Sequence, residues 1–234
     1  MRVLAIDVGG TNVKVRVPDV EEKRRFPSGK ALTAQQMADG VKEIAKDWAY
    51  DCVSIGLPTP IDHCKPVHEP HNLGGGWVDF DYASAFGVPV RLINDAAMQA
   101  LGHDNGGRML FLGLGTGLGT AIVVDHRVLP CELAHLQFRK GKTFEEEVGE
   151  AALERKGKEK WAKRVVEMIE ALRSAIQVDE VVIGGGNVRN LNELPKGCRR
   201  GENELAFEGG FRLWRNPWTA ALDADEHVLA PLPG

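Results

Sequence analysis

Two apolar strands joined by a glycine-rich turn stand at the start of the sequence, in LAIDVGGTNVKVRV, residues 4–17. This stretch is the most informative one about the fold. The pattern returns in the second half of the chain as LFLGLGTGLGTAIVV, residues 110–124. Glycine lets the backbone approach a ligand closely, and consecutive N–H groups in such a turn form a concave site for anions. Two of these turns predict two phosphate-binding sites that face each other across a cleft, as in phosphoryl-transfer enzymes of duplicated architecture.

Both turns differ from the commoner glycine motifs. A dinucleotide-binding fingerprint needs a third glycine that opens a helix, but Thr120 stands at that position in the second turn and a strand-like segment follows. A P-loop needs a glycine five positions before its Gly-Lys pair, and neither Gly29-Lys30 nor Gly141-Lys142 has one. Each turn alone could be an ordinary hairpin. The repetition, with Asp7 at the end of the first strand, favours phosphate binding.

Length and charge fit a cytoplasmic α/β enzyme. With 234 residues the chain can form one large or two small domains. Its 29 Lys and Arg against 33 Asp and Glu give a net charge of −4, which does not favour nucleic acid as the main ligand. A secretion signal and an apolar run long enough to span a membrane are both missing from the sequence, so we expect no membrane partner.

The cysteines predict neither a zinc site nor a disulfide framework. No two of them have C-x-x-C spacing, which is typical of structural zinc sites. We therefore expect reduced thiols and no zinc cofactor. The four residues are Cys52, Cys64, Cys131 and Cys198.

Strands and helices alternate in a first predicted lobe, residues 1–107. A period-two strand over residues 13–17 precedes a third strand that ends at Phe26. Thr33 and Gln36 form a capping-box pattern at the start of a helix. Apolar runs at residues 53–57 and 88–93 predict buried strands, and a helix should begin near Ala96.

The second predicted lobe, residues 108–234, repeats this order. After the hairpin, Thr143 and Glu146 form another capping box at the start of a long helical stretch, with a possible break at Gly157. A strand over residues 181–183 then leads to three glycines. Two such blocks predict a two-lobed molecule whose ligand cleft lies between the lobes.

Five motifs carry a family resemblance: IDVGGTNVKV at 6–15, INDA at 93–96, LGTGLGTAIV at 114–123, ELAHL at 132–136 and VIGGGN at 182–187. In order and spacing the chain resembles the ROK branch of the actin-like sugar kinases, and within it most closely the polyphosphate glucokinases. The resemblance implies a duplicated actin-like (ribonuclease H-like) α/β fold of two lobes with a central cleft, and a homodimer. Too few residues precede Asp7 for a helix-turn-helix, so we do not expect ROK-type repression.

The resemblance implies that Asp95 is the general base that takes the proton of the sugar hydroxyl. The alternative for Asp95 is the N-cap of the helix that begins near Ala96. Asn94 would then bind a sugar hydroxyl through its amide, which both donates and accepts hydrogen bonds. A solvated turn asparagine is the alternative for Asn94.

Three further side chains are expected to bind the sugar. Glu132 and His135 are three residues apart and can lie on one side of a turn, where the family's Glu and His contact the sugar. A structural histidine is the alternative for His135. Glu145 matches a further sugar carboxylate of polyphosphate glucokinases, or is an acid favoured in the first turn of a helix. Asn72 is assigned as an additional sugar ligand.

The two turns are expected to bind the phosphates, and Asp7 to hold Mg²⁺ through water. Lys14 could reach a phosphate or face outwards from its strand. Residues 184–186 would lie beneath an adenine if ATP is the donor, or else connect a strand to a helix. The phosphate-binding residues are Gly9, Gly10, Thr11, Asn12, Lys14, Gly115, Thr116 and Gly117, and the nucleotide-binding residues are Gly184, Gly185 and Gly186.

The resemblance thus predicts a sugar kinase that phosphorylates the 6-hydroxyl of glucose, with polyphosphate or ATP as donor. An ATP-dependent kinase for another hexose or an N-acetylated amino sugar, and a silent sugar sensor, are the alternatives. A row of Lys156, Lys160 and Arg164 could bind a polyanion, although such a row is more often a solvated helix face. The tail over residues 191–234 could cover the nucleotide or form a dimer contact.

Overall fold

The computed structural model describes residues 1–215, and these form two compact units. The first unit contains residues 1–98 and the described residues from Ala206 on, and the second contains residues 99–205. The tail after residue 215, with Trp218, lies outside the described residues. Within the described part of the chain, no helix is both long and apolar enough to cross a membrane.

The first unit is built on a five-stranded sheet in the order β3-β2-β1-β4-β7. β1 pairs antiparallel with β2 and parallel with β4, and the hairpin continues into β3. The strands are β1 (Val3–Val8), β2 (Asn12–Arg16), β3 (Arg24–Pro27), β4 (Cys52–Leu57), β5 (Ile61–Asp62), β6 (Lys65–Pro66) and β7 (Val90–Asn94). The helices that follow in the chain are α1 (Ala34–Ile44), α2 (Tyr82–Phe86) and α3 (Asp95–His103).

The second unit repeats this topology with a sheet in the order β10-β9-β8-β13-β14. Its strands are β8 (Arg108–Leu114), β9 (Leu118–Val124), β10 (Arg127–Pro130), β11 (Gln137–Arg139), β12 (Lys142–Thr143), β13 (Glu180–Gly184) and β14 (Cys198–Arg200). Its helices are α4 (Phe144–Val148), α5 (Glu150–Lys156) and α6 (Lys158–Ile176), with 3₁₀ helices at Leu133–His135 and Gly186–Asn190. The last helix, α7, spans Leu205–Arg215.

The repeated topology confirms the predicted duplicated α/β fold. In each unit an antiparallel three-stranded meander is extended by two parallel strands. Every residue of β1 and β4 is buried, as expected of central strands covered on both faces. β2 instead alternates between buried and half-buried residues, in agreement with its period-two sequence. The predicted cleft between the lobes stays a prediction.

Each unit has its own hydrophobic core. In the first, Leu4 and Ile6 of β1 pack with Met37 and Val41 of α1. In the second, the β8 leucines pack with Trp161 and the other apolar residues that follow it at helical spacing on α6. The helical period in the sequence therefore selects the buried face in both units.

Both predicted capping boxes are confirmed, at Thr33 with Gln36 and at Thr143 with Glu146. The long helical stretch predicted after Thr143 has a break that was not predicted, because α4 ends at Val148 and α5 begins after Gly149. A Cβ on Gly149 would lie 3.0 Å from the Thr116 carbonyl oxygen. The chain therefore breaks its helix where it passes closely over the second glycine turn. The break at Gly157 is confirmed.

The helix α7 was not predicted, and it packs on the first unit although it comes from the end of the chain. The Ser54 hydroxyl donates to the Gly210 carbonyl oxygen at 2.6 Å, and the Trp214 indole N–H donates to that hydroxyl oxygen at 2.9 Å. Phe207 and Phe211 are buried beside these contacts. The lobes at 1–107 and 108–234 stay a prediction, from which the compact units differ at α7 and at residues 99–107.

Gly210→Ala should destabilise the first unit. The added Cβ would lie 2.8 Å from Cβ of Ala5, a contact that must force a backbone or strand shift. Overpacking of this kind costs about 1–3 kcal/mol, which exceeds the roughly 1 kcal/mol that alanine gains over glycine in a helix. Urea unfolding should show a lower midpoint than for the wild type. Gly75→Ala is the control, because its Cβ would meet nothing within 4 Å. A Gly210→Ala protein as stable as this control would contradict the packing.

Candidate active site

The first glycine turn connects β1 to β2 and is closed by backbone hydrogen bonds. The Gly9 N–H donates to the Asn12 carbonyl at 3.0 Å, and the Ser28 N–H donates to the Thr11 carbonyl at 2.9 Å. The Ser28 hydroxyl also donates to the Gly9 carbonyl at 2.6 Å. Ser28 thus braces the turn from the end of the hairpin, a role that the sequence analysis missed.

Asp7 and Lys14 face each other across the β1–β2 hairpin. They are paired in the strand register, and the Lys14 ammonium donates to the Asp7 carboxylate at 3.1 Å. Asp7 is 7% exposed, so its carboxylate lies at the buried edge of the first turn. Lys14 is half-buried rather than fully outward-facing. The pair holds one carboxylate and one ammonium beside the turn.

Asn72 also lies beside the first turn. A Cβ built on Gly10 would be 3.6 Å from Cβ of Asn72, which is ordinary van der Waals contact. Asn72 is exposed, so its amide has access to solvent on that side. The predicted sugar ligand Asn72 and the predicted phosphate turn therefore adjoin in the first unit.

Asn94, rather than Asp95, caps the helix that follows β7. The Ala97 N–H donates to the side-chain oxygen of Asn94 at 3.1 Å, and the Asn94 amide donates to the Thr59 carbonyl at 3.4 Å. α3 begins at Asp95, one residue before the predicted start, and the Ala96 N–H donates to the Asp95 carboxylate at 2.8 Å. The capping alternative for Asp95 therefore belongs to Asn94, which is buried and not a solvated turn asparagine.

The second glycine turn, between β8 and β9, is held by a carboxylate from α4. The Leu118 N–H donates to the Glu145 carboxylate at 3.0 Å. A Cβ on Gly117 would lie only 2.2 Å from the same carboxylate oxygen, so only glycine leaves room for it. The Gly115 N–H donates to the Gly117 carbonyl at 3.1 Å and closes the turn.

Three other segments of the second unit contact the second turn. The Asn187 amide donates to the Gly115 carbonyl at 3.1 Å, and the Glu150 N–H donates to the Thr116 carbonyl at 3.2 Å. Gly185 has a φ of 82°, and a Cβ there would lie 2.2 Å from the Leu114 carbonyl oxygen. The sequence analysis assigned no role to Asn187, although the residue belongs to the VIGGGN motif.

The three glycines at the end of β13 and just after it have different surroundings. A Cβ on Gly184 would lie 2.8 Å from the Phe111 ring, so packing accounts for Gly184 as the approach to Leu114 does for Gly185. A Cβ on Gly186 would meet nothing within 4 Å. Of the predicted adenine platform, only Gly186 is therefore left without a packing reason.

Glu132, His135 and Glu145 lie near one another in the second unit. The His135 Nε2 and the Glu132 carboxylate are 3.7 Å apart. Burial raises the pKa of Glu132 above its ordinary value, and the charge of Glu145 raises it further, whereas His135 lowers it. The Glu132 and His135 side chains are 46% and 69% exposed, which leaves polar atoms of both open to a ligand.

Thr120 positions the segment that carries Glu132. Its hydroxyl donates to the Cys131 carbonyl and accepts the Leu133 N–H at 3.1 Å. Thr120 is 3% exposed. The residue that replaces the third glycine of a dinucleotide motif thus joins β9 to the 3₁₀ helix at Leu133–His135, a role that spacing alone did not indicate.

Each unit has a group of predicted residues at its glycine turn, and Asn94 and Asp95 lie at the junction of β7 and α3. Asp7, Lys14 and Asn72 surround the first turn, and Glu145 joins the second turn to Glu132 and His135. Within residues 1–215, no three His, Cys, Asp or Glu side chains cluster as a metal site would require. The groups can accept and donate hydrogen bonds to hydroxyls and present backbone N–H groups to anions.

Comparison with known proteins identifies the family. The ROK family model matches residues 3–132, more than half of the 234-residue chain. A polyphosphate glucokinase from Mycobacterium tuberculosis (strain ATCC 25177 / H37Ra) is 26% identical in an alignment of 210 residues; the match covers 80% of this chain and 78% of the relative. An inorganic polyphosphate/ATP-glucomannokinase from Arthrobacter sp. strain KM has a TM-score of 0.76 at 23% identity, over 89% of this chain and 96% of that one.

A ROK family glucokinase from Streptomyces griseus, solved with glucose and AMPPNP, has the same fold. The TM-score is 0.73 at 16% identity, over 92% of this chain and 99% of that chain. Family model, fold and repeated hairpin topology agree. The chain therefore belongs to the ROK family and has the actin-like α/β fold of its sugar kinases.

Proposed function

We propose that the protein phosphorylates the 6-hydroxyl of glucose, with polyphosphate or ATP as the phosphoryl donor. The observation that carries the proposal is the position of Glu145. Its carboxylate accepts the Leu118 N–H of the second turn and lies close enough to Glu132 to raise that residue's pKa. A candidate sugar-binding group and a candidate phosphate-binding turn are thereby joined by one side chain.

Asp95 is proposed as the general base. Its carboxylate takes the proton of the sugar hydroxyl while the hydroxyl oxygen forms a bond to the terminal phosphorus of the donor. The bond from that phosphorus to the rest of the donor breaks, and the shortened phosphate leaves with its electron pair. Because Asn94 supplies the helix cap, the fold does not depend on Asp95 for that function.

Glu132 and His135 are proposed to bind sugar hydroxyls. A carboxylate accepts hydrogen bonds from hydroxyls, and an imidazole can donate or accept, so the pair can fix two hydroxyls in one orientation. Asn72 and Asn94 are proposed to add amide contacts from the first unit. This polar set is suited to a sugar, whose surface consists mostly of hydroxyl groups.

Asp7 fits the requirements of Mg²⁺. The ion prefers oxygen ligands and retains several waters, so a single carboxylate beside a phosphate turn is a suitable donor set. The Lys14 ammonium at 3.1 Å from Asp7 adds positive charge at the same place. When bound, Mg²⁺ would neutralise charge on the donor phosphates. We infer that Asp7 would hold it through water.

Asp95→Asn should keep glucose binding and lose turnover. The amide is nearly the same size and cannot take a proton, so kcat should fall at least about a hundredfold, the lower end for loss of a general base. Turnover is measured with ATP and with polyphosphate, and glucose affinity by calorimetry. Asp79→Asn, an exposed acid in the same unit, is the control. Near wild-type turnover in Asp95→Asn would remove Asp95 from the mechanism.

Glucose affinity should fall as the pH is lowered. The fall should begin at a higher pH than the titration of an ordinary glutamate would produce. Glu132 has a raised pKa, so it protonates earlier as the pH falls, and the protonated carboxyl loses acceptor capacity. The KM for glucose should therefore begin to rise, as the pH is lowered, above the pH at which an ordinary glutamate titrates. Glu132→Gln should have a higher KM that no longer follows this titration. Glu150→Gln is the exposed control, and an unchanged pH profile in Glu132→Gln would exclude Glu132 as the group responsible.

A further inference from the structure

A concave, strongly basic surface lies on the second unit, formed by α5, α6 and the β11–β12 hairpin. Its volume is about 430 Å³, and we call it the basic groove. Seven cationic side chains and two carboxylates line it, an excess of five positive charges in a chain whose net charge is −4. The lining residues are Arg139, Lys140, Lys142, Glu147, Lys156, Lys160, Lys163, Arg164 and Glu167.

Ion pairs neutralise part of this charge and hold the walls of the groove in place. Glu147 is buried and pairs with Lys156, and the Arg164 Nε lies 3.6 Å from its carboxylate. Glu167 accepts from Arg164 at 2.7 Å and from Arg139 at 2.9 Å. These ion pairs tie the hairpin to α6. Arg164 and Lys156, which the sequence suggested as polyanion ligands, are therefore needed for the structure of the groove.

The remaining lysines carry the unbalanced charge. Lys140, Lys142, Lys160 and Lys163 are exposed and have no ion pair within the described residues. Lys160 and Lys163 are three residues apart on α6 and so lie on the same helix face. Like charges on one concave surface repel one another, and an anion that binds there relieves the repulsion. This arrangement differs from a solvated helix face, where charges of both signs usually alternate.

A smaller pocket of about 260 Å³ connects the basic groove with the second glycine turn. It is lined by Thr116 and Glu145 of the candidate active site, by a second carboxylate, Glu146, and by Lys142 and Arg155. Lys142 lines both the pocket and the basic groove. A chain of phosphates that starts at the second turn would therefore pass Lys142 on its way to Lys160 and Lys163 in the basic groove.

We propose that the basic groove binds the distal part of an inorganic polyphosphate chain whose reacting end lies at the second turn. The inference rests on the proposed function, and it adds a binding site at some distance from the reacting phosphate. Inorganic polyphosphate is favoured over nucleic acid because the lining contains no aromatic side chain among the described residues on which a base could stack. The groove offers only point charges, which recognise phosphate without reading bases.

The test compares Lys160→Glu/Lys163→Glu with Lys158→Glu/Lys196→Glu, which carries the same change of charge on exposed lysines outside the groove. Calorimetry measures the binding of long-chain polyphosphate, tripolyphosphate and a single-stranded oligonucleotide at two salt concentrations. The groove variant should bind long-chain polyphosphate roughly ten- to a hundredfold more weakly and with a smaller salt dependence, because fewer counterions are released. Tripolyphosphate binding and ATP-dependent turnover should match those of the control.

Three results would contradict the proposal that the basic groove binds polyphosphate. They are equal long-chain affinity in both variants, an equal loss of tripolyphosphate binding in the groove variant, and an oligonucleotide that binds the wild type as tightly as polyphosphate. Lys160→Gln/Lys163→Gln, with thermal unfolding of all variants, separates charge from folding, and it should show an intermediate loss. The kinase proposal is tested separately. If the wild type phosphorylates glucose with ATP and the groove variant binds polyphosphate normally, the kinase proposal is supported and the groove proposal is contradicted. If the groove variant loses polyphosphate binding and no glucose is phosphorylated, the groove proposal is supported and the kinase proposal is contradicted.

Discussion

The hydrogen bond from the Leu118 N–H to the Glu145 carboxylate is the contact on which the candidate site of the second unit depends. It fixes the start of α4 against the second glycine turn at 3.0 Å. Gly117 must lack a side chain for the carboxylate to reach this position, and Gly149 must lack one for the chain to pass over Thr116. The same contact places Glu145 beside Glu132. One carboxylate thus holds the turn and lies beside a predicted sugar ligand.

The two units use the same topology with different supports. In the first unit the turn is braced within its own hairpin by Ser28, and Asp7 and Lys14 place opposite charges across β1 and β2. In the second unit the turn is braced from outside by α4, by the start of α5 and by Asn187. This asymmetry agrees with different proposed roles. The first turn would bind phosphate with Mg²⁺, and the second would join the donor to the sugar.

Much of the fold could be predicted from local sequence because its determinants are local. The hairpins follow from period-two patterns around glycines, and both capping boxes follow from side chains three residues apart. The position of Asp95 at the end of β7 was also evident from its apolar strand. Which of Asn94 and Asp95 caps α3 was not evident, because either residue type can cap a helix and only the backbone geometry distinguishes them.

What could not be predicted depends on contacts that are distant in sequence. The break at Gly149 results from Thr116, 33 positions earlier in the chain, and Thr120 acts on the segment around Cys131 and Leu133. The packing of α7 on β1 and β4 needs Ser54 and Gly210, far apart in the sequence. The basic row of three residues was visible in the sequence, but the ion pairs of Lys156 and Arg164 with Glu147 and Glu167 were not.

Calorimetry of glucose binding to Gly117→Ala, without any donor, tests whether Glu145 links the second glycine turn to the sugar. Gly117 belongs to the second glycine turn, and an added methyl group would meet the Glu145 carboxylate at 2.2 Å and displace it. The account predicts about tenfold weaker glucose binding, since a hydrogen bond to a charged group contributes about 1.5–3 kcal/mol. Gly115→Ala should bind glucose as the wild type does, because its Cβ would meet nothing within 4 Å. Wild-type glucose affinity in Gly117→Ala would contradict the link between the turn and the sugar.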